Sequence, residues 1–222
     1  MKNRTLFTLT GAGLMAASGA SAATFTSINA PSGNELTHEE ILESFYGEDF
    51  AASGLDFVGA TVTATRVDDD LDQTYNVQSW SAEAIASWAL AGQSFGTAAD
   101  GILVDVQGSH NRTVTGSAAG GAGSAIEFAR FGNECDTVDV TTNPGSNPFG
   151  HDHVLTYQIS DGNDQPGQTQ YLLFFEDANE TSDTTDWDYN DLVVLVTVTE
   201  VPEPSSLALM GLGGLAMLRR RR

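Results

Sequence analysis

Two apolar runs near the end of the chain, QYLLFFED at residues 170–177 and DLVVLVTVTE at residues 191–200, constrain the fold more than any other feature. Both are rich in β-branched and aromatic side chains and of strand length, which predicts two strands joined by an acidic loop. Weaker runs of the same kind occupy residues 55–67, 75–80, 101–107, 126–131 and 153–160, separated by Gly, Asn, Asp and Pro. That pattern predicts a mainly β domain, an antiparallel β-sandwich or jelly-roll-like fold with one or two short helices. The clear helix follows Thr37, an N-cap with Glu40 three residues on as in a capping box. Ile41, Leu42, Phe45 and Tyr46 form its apolar face and Gly47 stops it. Residues 81–92 read either as a second helix packing Ile85, Trp88 and Ala89 or as a strand. Residues 113–124, rich in Gly, Ala and Ser, read as a flexible loop; no Lys-Ser/Thr follows, so they are no phosphate cradle.

The ends of the chain differ from this domain. Lys2 and Arg4, the mostly apolar residues 6–17 and the small residues Ala20-Ser21-Ala22 predict a secretory signal over residues 1–22, removed by signal peptidase. Residues 23–200 are then one acidic extracellular domain, long enough for a single core. The formal net charge of -21 is concentrated there. Of nine basic residues, Lys2, Arg4 and Arg219 to Arg222 lie at the ends, leaving Arg66, Arg112 and Arg130. Such a domain repels phosphate backbones, which excludes nucleic acid as a partner. It also repels itself unless cations relieve the charge. Cys135 is the single cysteine, cannot close an internal disulfide, and is expected to be a small buried residue.

The loop between the two strongest strands carries most of the chemistry. Glu176, Asp177, Asp186, Asp188, Asn190 and Asp191 are its candidate metal ligands. Asp186, Asp188 and Asn190 stand at alternate positions, a spacing that lets oxygens converge on one hard cation, and calcium takes six to eight of them. An EF-hand is not expected: Asp191 stands where its glycine belongs and Thr197 where its bidentate Glu belongs. A solvated acidic turn is the plainer reading of the same residues. Asp68-Asp69-Asp70-Leu71-Asp72 is expected to be a solvated turn, or a donor to this or a second ion.

Phe175-Glu176-Asp177 followed by Asp186-Trp187-Asp188-Tyr189-Asn190-Asp191 and a Val-rich strand resembles a bacterial domain of unknown function. That domain recurs in exported surface proteins and adhesins, commonly just before a sorting tail. The resemblance implies a surface-exposed β domain that binds calcium; it supplies no catalytic mechanism.

No enzyme constellation is present in the sequence: there is no G-x-S-x-G elbow and no H-E-x-x-H helix. His151-Asp152-His153 is the one paired histidine motif; on a strand both rings point to one face, where they could bind a transition metal, and solvated histidines at a strand boundary are the expected reading. Trp80, Trp88 and Trp187 are candidate sugar contacts, although for Trp187 packing its loop against the sheet is the favoured reading.

The chain ends VPEPSSLALMGLGGLAMLRRRR over residues 201–222. Pro202-Glu203-Pro204 breaks the last strand into an accessible hinge. The apolar residues 205–218 are short for a comfortable helical span, and the arginines should stay cytoplasmic. This order of parts closely resembles the PEP-CTERM sorting signal. The resemblance implies a membrane-anchored precursor, inserted transiently in the inner membrane of an exopolysaccharide-producing Gram-negative bacterium. An exosortase-type enzyme would cut it near Pro202-Glu203-Pro204. The combined expectation is a calcium-stabilised, non-enzymatic surface or matrix protein with a structural or adhesive role and exopolysaccharide as a candidate partner. A calcium-dependent carbohydrate-binding module is the alternative, and a secreted hydrolase comes third.

Overall fold

The computed structural model describes residues 22–33, 35–88, 93–106, 117–120, 123–132, 138–147, 150–162, 165–176 and 186–200. Residues 1–21 of the signal segment, Asp177, Cys135 and the tail with Pro202, Glu203 and Pro204 lie outside these residues. One helix, α1 (His38–Tyr46), precedes a run of strands: β1 (Ala51–Ser53), β2 (Asp56–Val58), β3 (Thr63–Arg66), β4 (Tyr75–Ala86), β5 (Gln93–Thr97) and β6 (Gly101–Val106). After these come β7 (Ser117–Gly120), β8 (Gly123–Ile126), β9 (Phe128–Phe131) and β10 (Val138–Thr141). The chain continues through β11 (Val154–Ser160), β12 (Gln168–Phe175) and β13 (Leu192–Glu200).

The helix forms as its sequence demands. Glu40 N donates to Thr37 Oγ1, and Glu40 Oε2 accepts from Thr37 N, which closes the capping box. Gly47 takes a left-handed φ of 71° and returns its N–H to the Glu43 carbonyl.

Among the described residues all strand pairs are antiparallel, in two sheets. The larger runs β1-β2-β3-β11-β12-β13-β4-β7, with β8 also on β4; the smaller runs β10-β9-β5-β6. One core lies between the sheets: Trp80, Ala82 and Ala84 from β4, Leu173 and Phe175 from β12, and Val194 and Val196 from β13 face Phe95, Val104 and Phe128. A second core lies on the outer face of the large sheet, where Ile41 and Leu42 of α1 meet Leu155, Tyr157, Leu172, Phe174 and Val193. The centre of the large sheet is thus covered on both sides. That explains why Leu172 to Phe175 are apolar without alternation: each side chain is fully buried, facing one core or the other. Such burial stabilises by about 1.5–3 kcal/mol per side chain.

Two expectations need correction and one open reading is decided. Of the two readings open for residues 81–92, residues 81–86 take the strand: they extend β4, pair with β13 from Ser81 to Ala86, and bury alternate alanines. A register shift between Thr199 and Glu200, opposite Ser79 and Val77, lets Val77 and Trp80 of β4 face the same core despite their odd spacing. Residues 117–120 and 123–126 are strands pairing with β4 rather than loop. There the exposed hydrogen-bonding edge of β4 outweighs the weak strand preference of Gly, Ala and Ser. The turn after β3 is solvated only in part: Asp70 and Leu71 are exposed, but Asp69 and Asp72 are buried.

Candidate metal centre

The hairpin of β12 and β13 positions the acidic loop. Their register pairs Phe175 with Leu192, so Glu176 and Asp191 emerge together at its loop end. Residues 186–191 then fold back on the α1 side, where Tyr189 is fully buried in the outer core and Trp187 is packed against it. Both residues adopt left-handed backbone, with φ of 59° at Trp187 and 57° at Tyr189. For bulky side chains this stores about 1–3 kcal/mol each, strain that surrounding contacts must hold.

Those contacts come from the other end of the domain. Asn29 N donates to the Trp187 carbonyl at 2.9 Å and Asn29 Nδ2 to the Asp186 carbonyl at 2.6 Å. Fully buried His38 places Nε2 2.9 Å from the Asp188 carbonyl and Nδ1 3.1 Å from the Tyr157 hydroxyl. Asn190 Nδ2 donates to the Leu36 carbonyl and to Asp188 Oδ2. Tyr189 donates its hydroxyl to the Asp152 carbonyl and its N–H to Glu176 Oε2. The N-terminal segment thus works as a strap across the loop.

Glu35, on that strap, joins Asp186 and Asp188 in a group whose ligand oxygens all lie within 4.8 Å of one another. Asp188 is buried and the other two are half-buried. Burial, followed by the neighbouring Asp186 and Glu35, holds the Asp188 carboxyl well above the usual carboxylate range. Glu176 is raised too, first by burial and then by Asp191, Asp186 and Asp188. Its Oε1 is buried with no hydrogen-bond partner. An all-oxygen set of crowded carboxylates suits a hard cation such as calcium, which would use Glu35, Asp186 and Asp188 as ligands and relieve the charge that bears on Glu176.

The sequence-expected ligands therefore divide. Asp186 and Asp188 converge; Asn190 spends its amide nitrogen clipping Asp188 to the strap; Asp191 has its carbonyl held by Ser87 Oγ and Trp88 N. Glu176 borders the group and Asp177 lies outside the described residues. Glu35 was not expected, and no spacing marks it among the chain's 30 acidic residues.

His153 is fully buried, contrary to the solvated reading, while His151 is exposed. Their rings lie 6.4 Å apart, and the Trp187 indole sits 5.0 Å from His153 and 5.8 Å from His151. The shared face of this H-x-H motif is therefore a seat for Trp187. Trp80 and Trp88 are buried.

Fold and site together define an acidic β-sandwich closed by a strap and an acidic loop. Residues 200–222 match the PEP-CTERM protein-sorting motif. The motif marks an exported protein with a C-terminal sorting signal, made as a membrane-anchored precursor and processed by exosortase-type enzymes. No curated protein matches the chain, and no solved structure does. Among the described residues, no helix is long and apolar enough to cross a membrane.

Proposed function

We propose that the chain is a surface or extracellular-matrix protein whose β-sandwich is locked by calcium, with a structural or adhesive rather than catalytic role. The observation that carries this reading is the convergence of Glu35, Asp186 and Asp188 from opposite ends of the domain. A cation there ties the strap to the loop, and through His38 and Tyr189 to the sheet beneath. Without one, the carboxylates repel in a partly buried setting and loosen the same contacts. Extracellular calcium modules work at about 10⁻⁴–10⁻³ M, so the lock would close after export. Release from the tail would then deliver a domain already closed, with exopolysaccharide as its expected surroundings.

Thermal melts of the full chain in calcium and in chelator test this. A native-state ligand at a hundredfold excess over its Kd stabilises by about 2.7 kcal/mol. A melting temperature that ignores calcium would sink the proposal. One observation favours a carbohydrate-binding module as second reading: the Trp187 ring is only half-buried and lies beside exposed His151. Saturable binding on a glycan array, lost in Trp187→Ala, would establish it.

A further inference from the structure

The end of the large sheet away from the acidic loop is where the chain leaves for its sorting tail. Glu200 closes β13 opposite Val77 of β4, and Thr199 pairs with Gln168, the first residue of β12. A groove of about 460 Å³ lies at this end, with Val77, Val198 and Tyr171 on its sheet side and Leu71 and Thr74 on the turn before β4. Leu71 is 73% exposed, more than any other large apolar side chain among the described residues. Asp72 is the one charged group in the groove wall, and it is 1% exposed. Burial, above all, pushes its pKa up to about 8, so it is mostly neutral at pH 7. The exposed side chains in the same wall, Thr74, Asn76 and Gln158, carry no charge either.

The tail limits how far this end can stand from a membrane. Residues 201–204 alone separate Glu200 from the apolar run that starts at Ser205. Those steps along an extended chain reach at most about 18 Å. The headgroup layer takes up about 5–8 Å of that reach. Glu200 therefore stays within about 13 Å of the bilayer surface for as long as the tail is attached. The apolar run is also short for a hydrocarbon core of about 30 Å, a mismatch that draws the hinge inward. Charge decides which way the domain then faces. Glu176, Asp186, Asp188 and Asp191 gather at the loop end of β13, where anionic headgroups repel them. The groove end, with a tyrosine, an exposed leucine and neutral polar side chains, has the chemistry of residues that settle at headgroup level.

We propose that in the membrane-anchored precursor the groove end of the domain rests on the lipid headgroups, with Leu71 and Tyr171 as contacts and the loop centre turned outward. At about 3.3 Å per residue, the nine residues of β13 hold that centre about 26 Å further from the bilayer. The inference rests on anchoring through the tail and needs no calcium, so it stands apart from the loop centre. Exposed Asp70 beside Leu71 and Asp161 after β11 keep the contact at the surface and out of the hydrocarbon. One leucine and one tyrosine bury too little apolar area to hold the domain once the tail is cut.

The full uncut chain, reconstituted in vesicles of phosphatidylethanolamine and phosphatidylglycerol, tests this. With Cys135→Ser removing the native thiol, an environment-sensitive dye is attached at Leu71→Cys, Gln158→Cys or Ile28→Cys. Ile28 is 40% exposed and precedes Asn29, which binds the loop, so it reports from the far end. Lipids carrying a headgroup nitroxide should quench the dye at Leu71 and at Gln158, with a blue shift of its emission, and leave Ile28 as bright as in unlabelled vesicles. The two groove positions replace each other should one variant fail to fold. Quenching should be lost when the hinge is cut; quenching that persists overturns the tether as its cause. Equal quenching at both ends, or none at the groove, overturns the proposal. A groove shielded only when an exosortase-type enzyme is present would assign this face to the enzyme and overturn the lipid contact.

Discussion

The carboxylates of Glu35 and Asp188 approach within 4.8 Å, although one precedes α1 and the other lies just before the last strand. Like charges this close repel by about 1 kcal/mol in water and about 4 kcal/mol near a protein surface. Glu35→Gln should therefore stabilise the calcium-free chain by about 1 kcal/mol and remove most of its response to calcium. Urea unfolding in chelator and in calcium would show the two effects with opposite signs. Loss of stability in both conditions would argue against a cation at this point.

The pH dependence follows from the direction of the carboxyl shifts. Folded Glu176 and Asp188 keep protons that the unfolded chain releases. Their contribution to stability is therefore complete below the ordinary carboxylate range, about 4, and is lost as pH rises through their elevated values. Calcium-free melting temperatures should fall between pH 5 and pH 8. Calcium should flatten that slope and bind more tightly as pH rises, because binding displaces the protons.

His38 has the opposite sign. Burial, above all, lowers its pKa to about 4, against an ordinary 6.5. Its contribution is present above about 6.5 and is lost as pH falls towards 4. His38→Ala leaves the Tyr157 hydroxyl and the Asp188 carbonyl without this buried partner, a loss of about 2 kcal/mol or more. Calcium affinity measured by titration calorimetry should weaken with it, since the Asp188 backbone loses its anchor. His38→Gln, which can keep one of the two bonds, should recover part of both.

The capping box predicts a smaller and purely local effect. Thr37→Ala removes the hydroxyl that accepts from Glu40 N and should lower stability by about 1 kcal/mol in chemical denaturation. The effect should be the same with and without calcium.

The sorting motif yields a cellular prediction. Changing Pro202-Glu203-Pro204 to alanines should leave the tail attached when an exosortase-type enzyme is co-expressed. Mass spectrometry of the membrane fraction would then find the C-terminal peptide still joined to the domain. Release as efficient as in the wild type would contradict the proposed cleavage region.

Local signals in the sequence were sufficient for much of the architecture. The runs that became β11, β12 and β13, the capping box at Thr37 and the stop at Gly47 each act over a few neighbouring residues. Residues 117–126 misled because their strands exist only where the edge of β4 offers hydrogen bonds. Trp187 and Tyr189 gave no warning of positive φ, because a bulky residue takes that conformation only when long-range contacts enforce it. His153 and Asp72 looked exposable because their neighbours in sequence are polar; they are buried by strands and a strap distant in sequence.

By itself, the sequence determined that the chain is exported, acidic, built of β-strands, and rich in carboxylates at one loop. Those properties follow from composition, short-range periodicity and a contiguous tail. The tertiary structure decided which carboxylates meet. It brought Glu35 to Asp186 and Asp188, set Asn190 to clip rather than face the group, and buried Asp72. A cation responds to the positions of oxygens in space. Those positions depend on how the strap, the helix and the hairpin end pack together, which no spacing along the chain encodes.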